Sequence, residues 1–341
     1  MRQCDTVEII QGSSHTSFPM GDPSCVGEAR RHVAALCREL GFGEVACGQA
    51  AILVNELGTN LCKHAQQGQL WIASRQADGP EIEILSVDNG PGIRDLSLAM
   101  RDGFSTAGSP GTGLGAVQRL ATDFDIHSEV GKGTVILARL RASPRPKQAF
   151  QWGVVALPAP GETVCGDSWG VAFDGQRAAI LVADGLGHGV HAAQASQAAA
   201  DQFVKKPFAE LKSALDEAHV ILRMTRGAAV TRALIDAESD TLLSVGAGNV
   251  AIRVVSGTFN RSMLAQYGTV GVQMRRVEET RMAWPPHALV VCHSDGLQSR
   301  WPPAAVEPLI GHDPTLAAAV LVRDFGRGRD DVTVLVVRRS D

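Results

Sequence analysis

At 341 residues the chain exceeds the length of one ordinary hydrophobic core, so we expect two domains. Its 45% of hydrophobic and 20% of charged residues are typical of globular proteins and not of disordered or fibrous ones. The net charge of −4 argues against a nucleic-acid partner, and the longest apolar runs, such as ALVVC (288–292), are too short to span a membrane. We therefore expect neither a nucleic acid nor a membrane as partner.

The seven cysteines are scattered and never spaced as Cys-x-x-Cys. This pattern favours neither a disulfide framework nor a cysteine zinc site, and it predicts reduced thiols in a cytoplasmic protein. The first ten residues, MRQCDTVEII, also lack the apolar core of a secretory signal.

The first half of the chain predicts a short helical layer on a largely antiparallel sheet, an α+β sandwich. Apolar residues at helical spacing end before Gly41, a plausible helix stop, and the pair Asp78–Gly79 predicts a turn between two strands. The predicted helices cover 26–40, 44–66 and 114–122, and the predicted strands include 69–76, 81–87 and 134–140.

The clearest domain boundary is RASPRPKQA (141–149), where two prolines and several basic and small residues follow a strand-like segment. We place the first domain at 1–142, a linker at 143–150 and the second domain at 151–341.

The second half is richer in short strands, with long helices between them, which predicts sheets covered by helical layers. Its predicted strands cover 151–157, 169–174, 178–183, 230–236, 241–246, 250–255, 288–293 and 332–338, and its helices cover 189–203, 207–224 and 313–324.

The second helix carries NELGTNLCKHA, in which Glu56, Asn60 and Lys63 or His64 are spaced by about one turn and share a face. A carboxylate can accept a proton from an attacking hydroxyl, and an amide oxygen is a hard ligand suited to Mg²⁺. Taken alone, this face also fits an amphipathic helix with a solvated polar side.

Two glycine motifs follow. In DNGPGI (88–93), Asp88 ends an apolar strand, and the flanking glycines let the backbone approach a flat ligand. In GTGLG (111–115), glycines directly precede a helix, whose free N–H groups and dipole favour phosphate.

The order and spacing of these three motifs over about 30–140 resemble the GHKL ATPase family. The segments GFGEV (41–45), RDGFSTAGS (101–109) and GKGT (131–134) are similar to the RsbT and RsbW type of serine/threonine kinases. The resemblance implies a Bergerat α/β sandwich that binds ATP and Mg²⁺.

The same resemblance implies that Glu56 is the general base toward a protein serine or threonine and that Asn60 is the Mg²⁺ ligand. It also implies that Asp88 accepts a hydrogen bond from the adenine amino group. The expected nucleotide-site residues are Asn60, Lys63, His64, Asp88, Gly90, Gly92, Gly113, Gly115 and Thr134.

Four aspartates of the second half stand near the ends of apolar strands: Asp167, Asp184, Asp295 and Asp330. Such carboxylates converge in space and repel one another unless a cation neutralises them, and hard oxygen ligands suit Mg²⁺ or Mn²⁺. Each aspartate alone also fits a turn or cap. The carbonyl of Gly185 offers a further oxygen ligand.

These motifs, with ADGLGHG (183–189) as the most specific, resemble the PPM-type metal-dependent phosphatases of the SpoIIE and RsbX branch over about 151–340. The resemblance implies an αββα sandwich and two Mn²⁺ or Mg²⁺ ions held by the four aspartates and the Gly185 carbonyl. Asp184 is the expected catalytic residue, bridging both metals, in the hydrolysis of phosphoserine or phosphothreonine.

Four points of this half stay open on sequence alone. Relatives with GDxxD have an acid where this chain has Gly170, which argues against a third metal. His188 fits either a general acid or a support for the glycine turn. Asp331 is an alternative to its neighbour Asp330, and no basic cluster stands out to receive the phosphate.

We therefore expect a cytoplasmic, bifunctional regulator of a partner-switching pathway, which phosphorylates and dephosphorylates STAS-type anti-sigma-antagonist or stressosome-like proteins. A further regulator docked by the N-terminal domain fits the same resemblance. The alternative is a phosphatase whose N-terminal domain is a nucleotide-gated binding switch without kinase activity. A general GHKL ATPase is disfavoured because no transducer domain is evident.

Overall fold

The computed structural model describes residues 7–76, 79–100, 113–142 and 148–340. The chain divides into two compact units. The N-terminal unit is His15–Pro146, and the C-terminal unit is Met1–Ser14 with Lys147–Asp341. The expected lid at 101–109, the first two residues of GTGLG, Asp78 and the greater part of the linker lie outside the described residues.

The start of the chain differs from the predicted boundary, which assigned 1–142 to the first domain. Strand β1 (Glu8–Gln11) belongs to a sheet of the C-terminal unit, where it pairs antiparallel with residues 170–173. Ile10 of this strand is buried. Four residues with one inward apolar side chain give too short an alternation to indicate which sheet they join.

In its described residues, the N-terminal unit contains the next five strands and the first four helices. They are β2 (Thr16–Pro19), α1 (Pro23–Glu39), α2 (Glu44–His64), β3 (Gln69–Gln76), β4 (Pro80–Val87), α3 (Leu96–Ala99), α4 (Gly113–Leu120), β5 (Asp123–Glu129) and β6 (Gly133–Arg141).

The strands of this unit form one antiparallel sheet in the order β2-β3-β4-β6-β5. Helix α1 begins where Asp22 accepts a hydrogen bond from the Ser24 N–H at 2.7 Å, a standard N-cap. Leu53, Leu57 and Leu61 lie one turn apart on α2 and pack into the core against the sheet. The predicted α+β sandwich is confirmed, and the packed leucines fix which face of α2 is left for ligands.

The C-terminal unit contains the remaining strands and helices. They are β7 (Phe150–Leu157), β8 (Asp167–Asp174), β9 (Arg177–Gly185), α5 (Val190–Lys205), α6 (Leu211–Leu222), β10 (Ala228–Asp236), β11 (Thr241–Ala247), β12 (Ala251–Val255), β13 (Asn260–Leu264), β14 (Gly268–Thr269), β15 (Gln273–Met274), β16 (Thr280–Ala283), β17 (Leu289–His293), α7 (Pro314–Phe325) and β18 (Val332–Arg339), with 3₁₀ turns at Pro303–Ala305 and Glu307–Leu309.

Two antiparallel sheets form the centre of this unit, in the orders β1-β8-β9-β10-β11-β16 and β13-β12-β17-β18-β7. Helices α5 and α6 cover the first sheet, and α7 packs on β7 and β18 of the second. Aromatic rings meet between the sheets, with Trp152 and Trp169 at 5.8 Å between centroids. The predicted αββα sandwich is confirmed.

The long predicted elements match the structure to within a few residues, whereas β1, β2, α3 and the short strands β13 to β16 were not predicted. In the described ranges, no helix combines the length and apolar character needed to cross a membrane. The six cysteines within those ranges are free thiols, as expected, and Cys4 lies outside them.

A buried ion-pair cluster ties together three strands of the N-terminal unit. Glu83 on β4 accepts hydrogen bonds from Arg75 Nη2 on β3 at 3.0 Å and from Arg139 Nε on β6 at 2.8 Å. Burial opposes ionisation of Glu83, but the two arginines hold its pKa well below the usual range. The carboxylate is therefore charged, and its removal leaves two buried cations without this partner.

We expect Glu83→Ala to destabilise the N-terminal unit by about 3–5 kcal/mol, because breaking a buried pair from one side leaves uncompensated charge. Urea unfolding of the full chain, followed by circular dichroism, measures the change. Glu129→Ala is the matched control, since Glu129 pairs with Lys132 on the surface, where such pairs contribute about 0–1 kcal/mol. Equal shifts for the two variants would contradict the expectation.

Candidate nucleotide and metal sites

The polar face of α2 lies beside the start of α4. Glu56 and Asn60 are half-buried, and Lys63 and His64 are exposed in the last turn. A Cβ built on Gly113 would lie 3.8 Å from Asn60 Nδ2, so the first residue of α4 adjoins this amide. The structure thus places a predicted Mg²⁺ ligand at a helix N-terminus, where backbone N–H groups favour phosphate.

The loop after β4 folds back on the end of α2. The Gly90 N–H donates to Asp88 Oδ1 at 2.6 Å, and a Cβ on Gly90 would lie 3.4 Å from the His64 carbonyl oxygen. Gly92 has φ +71° and passes so close to the Glu129 carbonyl that a Cβ would lie 2.3 Å from its oxygen. Both glycines therefore permit a close backbone approach that other residues would block.

Thr134 joins this loop to β6. The Asp88 N–H donates to the Thr134 carbonyl at 3.0 Å, and Thr134 Oγ1 lies 2.9 Å from Ser128 Oγ, which accepts from the Ile93 N–H. Gly115 is buried in the first turns of α4. The loop after β4 thus contacts β5 and the start of β6, while the nucleotide site itself stays a prediction.

Asp167 and Asp184 face each other on neighbouring strands. They are register partners in the antiparallel pair of β8 and β9. Gly170, on the opposite side of β8, lies against Phe203 of α5, where a Cβ would be 2.7 Å from the ring. Asp167 therefore points toward the other sheet, and Gly170 has no room for the acid found in GDxxD relatives.

The loop after β17 reaches these aspartates. Ser294 Oγ donates to Asp167 Oδ2 at 2.7 Å and accepts from the Thr333 N–H at 2.9 Å. Asn249 Nδ2 donates to Asp295 Oδ2 at 2.6 Å. Sequence reasoning missed both Ser294 and Asn249; the serine inside HSDG was an available signal, whereas nothing near Asn249 indicated its partner.

The two acids before β18 differ in environment. Asp330 is exposed, and its Oδ1 accepts from the Asp331 N–H at 3.0 Å. Asp331 is 3% exposed, and its Oδ1 accepts from the Ala159 N–H at 2.9 Å. One oxygen of Asp331 is thus held by the backbone, its Oδ2 is buried without a hydrogen-bond partner among the described residues, and Asp330 is the more accessible carboxylate.

The aspartates interact strongly. Burial, together with the charges of Asp167, Asp295, Asp330 and Asp331 in that order, raises the pKa of Asp184 to about 9. Burial also raises the pKa of Asp167 to about 7, against the lowering effect of the Ser294 hydrogen bond. Five carboxyl groups, of which Asp167 and Asp331 are buried, therefore interact with one another at this site.

The donor set fits hard divalent cations, because it consists of carboxylate oxygens and Asp167 Oδ1 is buried without a hydrogen-bond partner among the described residues. Within the same ranges, no three acidic, histidine or cysteine side chains are close enough to enclose an ion. The carboxylates turn to Ser294, Asn249 and backbone N–H groups instead, as mutually repelling anions do.

Glycines bring the loops together at this site. A Cβ on Gly185 would lie 2.0 Å from the Ala192 carbonyl oxygen, and one on Gly296 would lie 2.0 Å from the Asp331 carbonyl oxygen. In the same turn, His188 Nδ1 lies 2.6 Å from Glu162 Oε1, a contact the sequence did not predict. This contact supports the reading of His188 as a structural residue of the glycine turn.

Both halves of the chain match known families. Residues 21–140 match the histidine kinase-like ATPase domain, and residues 174–340 match stage II sporulation protein E (SpoIIE). The serine/threonine-protein kinase RsbT of Bacillus subtilis (strain 168) is 38% identical over 128 residues, which are 35% of this chain and 96% of that protein. The chain belongs to the RsbT family.

The C-terminal unit adds a SpoIIE-type serine/threonine phosphatase domain to this RsbT-related domain. An anti-sigma F factor of Thermoanaerobacter sp. (strain X514) is 29% identical over 113 residues, 32% of this chain and 79% of its own.

Solved structures support the fold. One comes from work on the bacterial stressosome, a modular system that has been adapted to control secondary messenger signaling. It is 26% identical to this chain, with a TM-score of 0.53, and the match covers 55% of this chain and 99% of that one. RsbX in complex with magnesium is 21% identical, with a TM-score of 0.52 and coverage of 57% and 98%.

We expect Ser294→Ala to weaken Mn²⁺ binding about 10- to 100-fold, because a lost hydrogen bond to a predicted ligand leaves Asp167 poorly oriented. Isothermal titration with Mn²⁺ measures the affinity. Ser262→Ala on the exposed strand β13 is the control and leaves it unchanged. An unaltered affinity in Ser294→Ala, with the fold intact by circular dichroism, would show that Asp167 is oriented by other contacts.

Proposed function

We propose that the chain is a bifunctional regulator of a partner-switching pathway, which transfers phosphate from ATP to a serine or threonine of a partner protein and also removes it. The observation that carries the proposal is the convergence of carboxylates around Asp184 in a chain whose RsbT-related unit also brings Gly113 next to Asn60. The first set suits hydrolysis and the second suits nucleotide binding.

In the phosphatase reaction, a water oxygen attacks the phosphorus of phosphoserine or phosphothreonine. The bond from phosphorus to the side-chain oxygen breaks, and that oxygen takes up a proton to restore the hydroxyl. Two divalent cations, when bound, would activate the water and neutralise the phosphate. Asp167, Asp184, Asp295, Asp330 and the Gly185 carbonyl would hold them, while Ser294 and Asn249 orient two of these carboxylates.

In the kinase reaction, the partner's hydroxyl oxygen attacks the γ-phosphorus of ATP, and the bond to the bridging oxygen of ADP breaks. Glu56 accepts the hydroxyl proton, and Asn60 would hold Mg²⁺ beside the N-terminus of α4. Asp88 would recognise the adenine amino group. The exposed Lys63 and His64 supply positive charge at the end of α2.

The proposed partners are STAS-domain anti-sigma antagonists or stressosome-like proteins in the cytoplasm. Support comes from the 38% identity to RsbT and from the fold shared with a stressosome-related structure. A second regulator docking on the N-terminal unit is compatible with the same proposal.

We expect Asp184→Asn to lower metal-dependent hydrolysis of para-nitrophenyl phosphate by more than about 100-fold, because the amide keeps the shape but loses the ligand charge. Release of para-nitrophenol in the presence of Mn²⁺ measures the rate. Asp174→Asn at the other end of β8, where Asp174 pairs with Arg177, is the matched control and retains activity. Full activity in Asp184→Asn would remove Asp184 from the mechanism.

We expect Glu56→Gln to abolish phosphorylation of a STAS-domain partner while ATP binding is retained, because the amide cannot accept the proton. Radiolabelled phosphate transfer and nucleotide affinity are measured side by side, with Glu44→Gln at the exposed start of α2 as control. If the wild-type protein binds ATP but phosphorylates no STAS partner, the N-terminal unit is a nucleotide-gated switch and not a kinase.

A further inference from the structure

A pocket rich in arginine opens on the C-terminal unit beside the predicted metal ligands. Its volume is about 570 Å³, and its lining residues come from the segments after β17 and before β18. They are Gln298, Ser299, Arg300, Gly326, Arg327 and Arg329. Arg300 is distant in sequence from Arg327 and Arg329, so sequence reasoning did not bring the three arginines together.

Backbone hydrogen bonds join the two segments. Leu297 and Gly326 form an antiparallel bridge, the Gln298 N–H donates to the Phe325 carbonyl at 3.0 Å, and the Arg327 N–H donates to the Gly296 carbonyl at 2.8 Å. The same segments carry Asp295, next to Gly296, and Asp330, next to Arg329. The pocket and the metal-ligand candidates are therefore built on one framework.

The three arginines of the pocket are exposed, and none forms an ion pair with another residue in the described parts of the chain. Two other arginines of this unit do have partners: Arg323 pairs with Asp324, and Arg253 stacks on Trp301. Guanidinium groups bind carboxylates and phosphates in a bidentate manner. Three unpaired ones around a single cavity indicate an anionic ligand.

The cavity is too large for a phosphate ion alone, and one of its lining residues, Arg329, directly precedes Asp330 in the chain. A peptide segment with acidic side chains fits its size and charge. Asp295 and Asp330 repel such a segment, and the arginines offset this repulsion.

We propose that this arginine pocket binds acidic residues flanking the phosphorylated serine or threonine of the substrate protein, and so selects among phosphoproteins. The proposal rests on the proposed phosphatase function and adds its substrate class. It gives Arg300, Arg327 and Arg329 a role in specificity, without contact with the reacting atoms.

The test compares two phosphoserine peptides that differ only in their flanks, Asp and Glu in one and Asn and Gln in the other. We expect the wild-type protein with Mn²⁺ to favour the acidic peptide through a lower KM. The triple variant with Arg300→Gln, Arg327→Gln and Arg329→Gln is expected to reduce the ratio of kcat/KM between the two peptides about tenfold. Three exposed charge pairs together contribute a free energy of this order. Arg261→Gln on β13 is the control and keeps the ratio.

Direct binding separates this proposal from the phosphatase reaction. Fluorescence anisotropy with the inactive Asp184→Asn protein is expected to show binding of the acidic peptide that weakens with salt and with loss of the three arginines. Arginine-dependent binding without hydrolysis by the wild type would contradict the phosphatase function but support the binding of acidic residues in the arginine pocket. If the wild type and the triple variant hydrolyse both peptides with equal preference, the proposed role of the arginine pocket is overturned. Stronger arginine-dependent binding to an RNA oligonucleotide than to the acidic peptide would also overturn it.

Discussion

The mutual repulsion of carboxylates around Asp184 is the constraint on which the C-terminal unit depends. Asp167 and Asp184 are register partners on strands whose other inward residues are apolar, so the sheet pairing that builds the core also holds two acids side by side. The raised pKa values of both groups express the free energy stored in that arrangement. A fold that places acids there gains stability from bound cations, which links metal binding to folding.

Close contacts between loops allow these acidic residues to lie together. Gly185 lies against the Ala192 carbonyl and Gly296 against the Asp331 carbonyl, at distances that exclude any side chain. Asp167 is the first residue of β8 and Asp184 is the last residue before Gly185 on β9, so both acids lie at one end of their strands. The same close packing ties the segment of Asp295 to that of Asp330 and forms the base of the arginine pocket. Metal ligation and the proposed recognition of acidic flanks thus share one backbone framework.

Prediction from the sequence succeeded where the adjacent residues in the chain indicate the role of a residue. Asp184 and Asp295 each follow an apolar strand and precede a glycine, and the leucines of α2 repeat at helical spacing, so the fold could be predicted and candidate site residues could be named. Ser294 donates a hydrogen bond to Asp167, which lies 127 residues earlier in the chain. Arg300 and Arg327 line the same pocket only because their two loops pair. Such partnerships have no local pattern, because they are created by tertiary packing. The strand β1 escaped prediction for the same reason.

In the proposed function, the two sites would handle phosphate by opposite electrostatic means. The N-terminal site has glycines, a helix N-terminus and the Asn60 amide, which would hold an anion through dipoles and require little rearrangement of charge. The C-terminal site concentrates negative charge and would approach phosphate through bound cations, which would also supply the reactive water. Metal ligation there would imply catalysis, whereas the dipoles of the first site explain binding alone. Whether that binding leads to phosphoryl transfer therefore depends on Glu56, the one carboxylate on the polar face of α2 beside Asn60.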